Sequence, residues 1–189
     1  MITKRLFFLI AVFFMVSLGI NAQECNLQGI VKYEYNDYIG YKIDDGAEIY
    51  IVSVKSAPTI DIQTWDSYEN LARSFIKYLR YKNDADIGML DNASIRRFAD
   101  FSIETENRLN SLDKKCLEQY TFITENAEYL ELVDGSGKYS LKLPYGEYYI
   151  LAKSKNRDRA LVTELTGRKI LKKVKIDKPA KIVSFDFCY

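Results

Sequence analysis

The chain has 189 residues, 48% hydrophobic and 14% aromatic, with a formal net charge of +1. A balance this close to neutral excludes the broad basic face that nucleic-acid binding needs. There is no histidine, so the usual general base is missing, and no Ser-His-Asp or Cys-His arrangement or zinc peptidase motif can be assembled.

Lys4 and Arg5 precede an apolar run from Leu6 to Ile20, and Asn21-Ala22 then offers a small residue for signal peptidase. The pattern predicts a signal peptide over 1–22 and a periplasmic or extracellular destination. The run falls short of the roughly 20 residues that a spanning helix needs, so no transmembrane segment is expected after cleavage. Losing Lys4 and Arg5 takes the formal balance to −1. Cys25 follows Gln23-Glu24 rather than a small residue, which argues against lipid attachment.

Leu27-Gln28-Gly29-Ile30-Val31 and Ala47-Glu48-Ile49-Tyr50-Ile51-Val52 read as strands, with Asp44-Asp45-Gly46 as the turn into the second. From Pro58 to about Asn126 the period changes. Tyr68, Leu71, Ala72, Phe75, Ile76 and Leu79 recur at helical spacing, with Asp66 placed to cap and Glu69 to answer it three residues on. Trp65 is expected as a buried staple between helix and strands. A second helix from Ser94 to about Tyr120 puts Ile95, Phe98, Ser102, Leu109, Leu112 and Cys116 on one face. Two helices over one sheet face would bury both stripes.

Beyond the helices, Tyr139, Leu141 and Leu143 alternate with Lys138, Ser140 and Lys142 between the turns Asp134-Gly135-Ser136-Gly137 and Pro144-Tyr145-Gly146. Tyr139 to Leu143 and Glu147 to Lys153 are therefore expected to pair as a hairpin. Val174, Ile176, Val183, Phe185 and Phe187 would complete the core. Arg168, Lys169, Lys172, Lys173 and Lys175 are interrupted by Ile170, Leu171 and Val174, as on a strand with one solvated face.

This strand grammar, over about Leu27 to Val54 and Glu131 to Phe187, resembles the carboxypeptidase regulatory-like domains. The resemblance implies a mainly β fold, a transthyretin-like or prealbumin-like β-sandwich at 23–57 and 127–189, here with an inserted α-helical hairpin at 58–126. It implies a non-catalytic accessory module of an exported protein, with a structural or interaction role in the cell envelope and neither catalytic residues nor cofactors.

Asp44, Asp45 and Asp134 could supply a carboxylate pair, but all three sit where turns need Asp. The Asp134 loop lacks the further oxygen ligands of a calcium site, and no Cys-x-x-Cys is present, so no metal is expected. Cys25 and Cys188 could form a disulfide stapling both ends, with Cys116 left over; three free thiols are the alternative. Tyr33, Tyr35, Tyr38 and Tyr41, together with Tyr145, Tyr148 and Tyr149, could form an aromatic surface for a protein or glycan partner. Cross-strand packing of the same rings is the simpler account. Recognition is expected on the helical segment, with a small-ligand or carbohydrate site between helices and sandwich as the alternative; helices that merely cover a sheet face would do neither. Intact-mass analysis of the exported protein should give a chain starting near Gln23, and a retained Met1 would refute the signal peptide.

Overall fold

Alternation of buried Cys25, Leu27, Gly29 and Val31 with exposed Glu24, Asn26, Gln28 and Lys32 makes Glu24–Asn36 a 13-residue strand, β1. There follow β2 (Gly40–Ile43), β3 (Glu48–Ser53), helices α1 (Ile62–Asp84) and α2 (Asn92–Glu125), then β4 (Tyr129–Leu132), β5 (Lys138–Pro144), β6 (Gly146–Lys153), β7 (Lys169–Ile176), β8 (Ala180–Ile182) and β9 (Phe185–Phe187). The structure, a computed structural model, describes residues 23–36, 38–84, 92–157, 165 and 168–187, with side chains for all of these except 36, 77–84 and 92–102.

The strands form two sheets. In the first, β1 pairs with β5 and β2 in antiparallel fashion and with β8 and β9 in parallel. The second is antiparallel throughout, in the order β4-β3-β6-β7. Cys25, Leu27, Val31, Ile49, Ile51, Leu143, Ile150, Val174, Ile176, Val183, Phe185 and Phe187 make the core between the sheets. The last five of these were expected there.

The expected hairpin of Tyr139 to Leu143 with Glu147 to Lys153 does not form. β5 pairs with β1, whereas β6 pairs with β3 and β7, so Pro144-Tyr145-Gly146 carries the chain from one sheet to the other. Tyr145 is the single residue between β5 and β6, one fewer than the two-residue turn that folds a ladder back on itself. Its N–H instead donates to the Gln23 carbonyl at 2.9 Å, beside the start of β1.

β6 buries five consecutive residues because both of its faces are covered. Tyr148, Ile150 and Ala152 join the inter-sheet core, and Tyr149 and Leu151 join a second core under the helices with Val52, Trp65, Tyr68, Phe75, Leu109, Cys116, Ile123 and Leu171. Trp65 is fully buried there, as its expected stapling role requires. Of the residues expected to point inward, Tyr68, Phe75 and Leu109 are buried and Leu71 and Leu112 half-buried against this core, while the Phe98 side chain lies outside the described residues. The helical stripe therefore covers an apolar sheet face; at about 1.5–3 kcal/mol for each large apolar side chain, this burial is a major stabilising term.

The cap of α1 is Asp61 rather than Asp66. Its Oδ1 accepts from the Gln63 N–H at 3.0 Å and its Oδ2 from the Thr64 hydroxyl at 2.7 Å. Trp65 and Tyr68 already belong to the buried stripe, so the helix must begin a turn before Asp66. α2 runs past Tyr120 to Glu125, where the Asn126 amide Nδ2 donates to the Phe122 carbonyl at 2.8 Å and closes the last turn. Among the described residues no helix is long and apolar enough to cross a membrane.

Glu69, expected to answer a cap, is instead half-buried on α1, in electrostatic reach of Arg73, Asp66 and Lys172. Its Oε1 is sealed from water with no hydrogen-bond partner, as is Trp65 Nε1 one turn earlier. Burial pushes the Glu69 carboxyl up to about 7; Arg73 and Lys172 oppose the shift and Asp66 adds to it. Burial likewise pushes the Cys116 thiol to about 12, keeping it neutral and unreactive. Because the unfolded Glu69 carboxyl ionises near 4.5, the native state holds its proton more tightly, and stability falls as pH rises from about 4.5 to about 7, by on the order of 3 kcal/mol. Glu69→Gln should flatten this segment of the pH–stability curve and raise Tm at pH 8 but not at pH 4, as read by thermal melts at both values.

Candidate functional site

The exposed large hydrophobic residues are concentrated at the β1–β2 hairpin. Over nine positions, Tyr35 is 51% exposed, Tyr38 100%, Ile39 58%, Tyr41 52% and Ile43 43%. The register sets Tyr33 opposite Lys42 and Glu34 opposite Tyr41, with an irregularity between Glu34 and Asn36. Cross-strand partners share a face, so Tyr33 and Lys42 lie on one side of the ribbon and Glu34 and Tyr41 on the other. Tyr33 packs partly against the inter-sheet core and meets Tyr35 edge to face, with centroids 6.4 Å apart. The Lys42 ammonium sits 3.5 Å from the Tyr35 ring centroid on top of this, a contact of about 0.5–1 kcal/mol at an exposed site.

The base of the hairpin is clamped by a buried carboxylate. Asp44 has no solvent exposure, and it accepts hydrogen bonds from the Ser154 hydroxyl, the Asn156 side-chain amide at 2.8 Å, the Asn156 N–H at 3.1 Å and the Lys155 N–H at 3.3 Å. A buried carboxylate is tolerated when its oxygens are filled in this way. The Arg157 N–H donates in turn to the Ser154 hydroxyl at 3.0 Å, and Arg157 Nη2 reaches across to the Glu34 carbonyl at 2.6 Å. Both strands of the hairpin are thus tied to Ser154–Arg157. Sequence reasoning had Asp44 as a turn former, which it also is, since its carbonyl accepts from the Ala47 N–H. It missed the polar run Ser154-Lys155-Asn156-Arg157 after β6, whose composition was the available signal.

The remaining expected site residues go elsewhere. Tyr145 packs half-buried against the inter-sheet core, and the buried Tyr148 donates to the Pro144 carbonyl at 3.0 Å. Tyr149 is 5% exposed and its hydroxyl donates to the Ile60 carbonyl at 3.1 Å, joining the sheet to the segment before α1. Tyr149 adds nothing to an aromatic surface with Tyr33, Tyr35, Tyr38 and Tyr41, because β6 is covered on both sides; Tyr145, half-buried like Tyr33, lies beside the start of β1 and away from the hairpin.

Cys25 is a buried free thiol. Cys188, with which it could form a disulfide, lies outside the described residues.

Asp134 organises its own turn. Its Oδ1 accepts from the Ser136 N–H at 2.8 Å, the Ser136 hydroxyl at 2.7 Å and the Lys138 N–H at 2.9 Å, while Gly137 takes a positive φ of 78° that a side chain would resist. These bonds, the Lys138 N–H foremost, hold the carboxyl below its ordinary range. Among the described residues no group of three His, Cys, Asp or Glu could hold a metal ion. Between α1 and the sandwich lies a cleft of about 540 Å³, lined by lysines and aliphatic residues and, among the described residues, by no aromatic ring. It does not match the stacking platform expected of a sugar site there.

No protein-family model matches the chain, and no curated protein matches it in sequence. Among solved structures, a Pseudomonas aeruginosa protein provisionally described as carbohydrate binding aligns over 87% of this chain and 89% of its own, with 10% identity and a TM-score of 0.40. The full-length major pilin RrgB of Streptococcus pneumoniae aligns over 86% of this chain but 30% of its own, with 11% identity and a TM-score of 0.30.

Removing the clamp should release the loop. Asp44→Ala is expected to cost on the order of 2 kcal/mol, as loss of several hydrogen bonds to a buried carboxylate implies. It should also speed amide hydrogen exchange at Asn156 and Arg157; unchanged exchange there would rule out the clamp.

Proposed function

We propose that the chain is an exported, non-catalytic β-sandwich module of the carboxypeptidase regulatory-like, transthyretin-like type, and that it binds a protein partner in the cell envelope through the β1–β2 hairpin. On this reading the helical hairpin is an insertion that serves as the cover of the second sheet. The observation that carries the proposal is the run Tyr35, Tyr38, Ile39, Tyr41 and Ile43, all at least 43% exposed on one anchored ribbon. Exposed tyrosine and isoleucine on both faces and at the tip of one ribbon suit a partner that grips the hairpin from two sides. The Asp44 clamp holds the ribbon in position before a partner arrives, which lowers the entropy lost on binding.

Recognition is placed on the hairpin, and not on the helices, because the apolar stripes of α1 and α2 are already packed on the sheet. A protein is favoured over a glycan because Lys42 occupies one face of Tyr35 and Tyr33 meets the same ring edge to face, which limits stacking by a sugar. The non-catalytic reading is supported by Asp44 and Asp134, whose carboxylates are engaged by local donors.

A photoreactive benzoyl-phenylalanine placed at Tyr38 tests the proposal in envelopes of the producing cell. It should give a covalent adduct with one defined protein, and the same probe at the exposed helical positions Lys114 or Glu118 should not. Adducts from the helix alone, or equally from both places, would overturn it.

A further inference from the structure

β7 is the terminal strand of the four-stranded sheet. β6 pairs one of its edges along its full length, and among the described residues no strand pairs the other. The 540 Å³ cleft runs along this second edge, with Leu171 to Lys175 as one wall, Lys181 to Ser184 as the other, and Ile62 and Asp66 of α1 at its side. Consecutive residues of a strand point to opposite faces. A cleft touched by all five therefore follows the strand's edge, where alternate residues turn their N–H and C=O groups outward.

The charge of the cleft is one-sided, with Lys172, Lys173, Lys175 and Lys181 against Asp66. Lys173 meets Glu147 at 3.2 Å and Lys175 meets Asp177 at 3.6 Å, both between exposed side chains, where ion pairs are weak and readily exchanged. Lys172 donates to the Ser184 carbonyl at 2.6 Å and lies over the Phe185 ring at 4.8 Å, an arrangement that fixes one ammonium at the far wall.

We propose that this cleft accepts an extended acidic peptide segment of a partner, which adds to β7 as a fifth strand. The five wall residues span about 17 Å, room for a strand of matching length. Strand addition draws its affinity from main-chain hydrogen bonds and its selectivity from the side chains around them. Lysines along an edge repel a second copy of the same edge. The same charges attract a strand carrying carboxylates, so one feature blocks self-association and selects the partner. An anionic polysaccharide would satisfy the lysines but would leave the strand's alternating donors and acceptors unmatched. The site is separate from the hairpin surface and stands or falls without it.

The probe is a seven-residue peptide of alternating glutamate and valine, titrated into the full-length exported protein and followed by amide NMR and hydrogen exchange. Amides within Leu171 to Lys175 should shift and gain protection. The same sequence with every backbone amide N-methylated keeps the charges and removes the donors, and should bind about tenfold or more weakly. Lys173→Gln with Lys181→Gln, checked for native circular dichroism, should weaken the unmodified peptide and reduce its salt dependence. Equal binding by the N-methylated peptide, binding of dextran sulfate without binding of the peptide, or no response at Leu171 to Lys175 would each overturn the proposal.

Discussion

Four strands hydrogen-bond to β1, and the first sheet exists only because one backbone serves them all. Val31 shows the arrangement: its N–H donates to the Gly137 carbonyl and its carbonyl accepts from the Asp44 N–H, so β5 and β2 follow one another along the same edge. β8 and β9 occupy the other edge, where the Val183 N–H donates to the Gln28 carbonyl. Between them sits Gly29. A Cβ there would lie 1.9 Å from the Val183 carbonyl oxygen and 2.5 Å from the Tyr139 ring, whose hydroxyl donates to that same oxygen. The parallel strands can approach β1 only across a residue without a side chain, and the buried main-chain groups of both edges then find partners.

The second sheet answers a different demand. Its inner face packs on the first sheet and its outer face is as apolar, with Val52, Tyr149, Leu151 and Leu171 requiring a cover. The helices between β3 and β4 supply it, which is why a long connection joins two strands that are neighbours in the ladder. The apolar stripes of the helices are used up in this cover, and the exposed apolar side chains of the β1–β2 hairpin lie outside it.

Period-2 alternation around Leu27, Ile49, Leu141 and Phe185 and the helical stripe from Tyr68 to Leu112 were legible because burial imposes those periods directly. What was not legible depends on partners distant in sequence. Pro144-Tyr145-Gly146 carries the same turn residues whether the chain folds back or crosses between sheets. Asp44 reads as a turn residue until Asn156, 112 positions later, is seen to donate to it. The tyrosines divide into exposed Tyr35, Tyr38 and Tyr41 and covered Tyr148 and Tyr149 only once β6 is known to be central and covered on both faces. Asp66 and Asp61 are equally good caps by type, and only the phase of Trp65 in the buried stripe separates them.

The parallel pairing of β1 also ties it to partners far along the sequence. Val31 waits for Phe185, and the Ile30 N–H for the Ser184 hydroxyl 154 positions later, so one edge of the earliest strand stays unfilled until residues 180–187 are present. Closing so long a loop adds little to the equilibrium cost but slows the search, because local contacts cannot substitute for the missing strands. The ladder of the second sheet needs nothing beyond Ile176. Whenever β8 and β9 are undocked, β1 presents an open edge of unpaired main-chain groups, the template on which strands mispair.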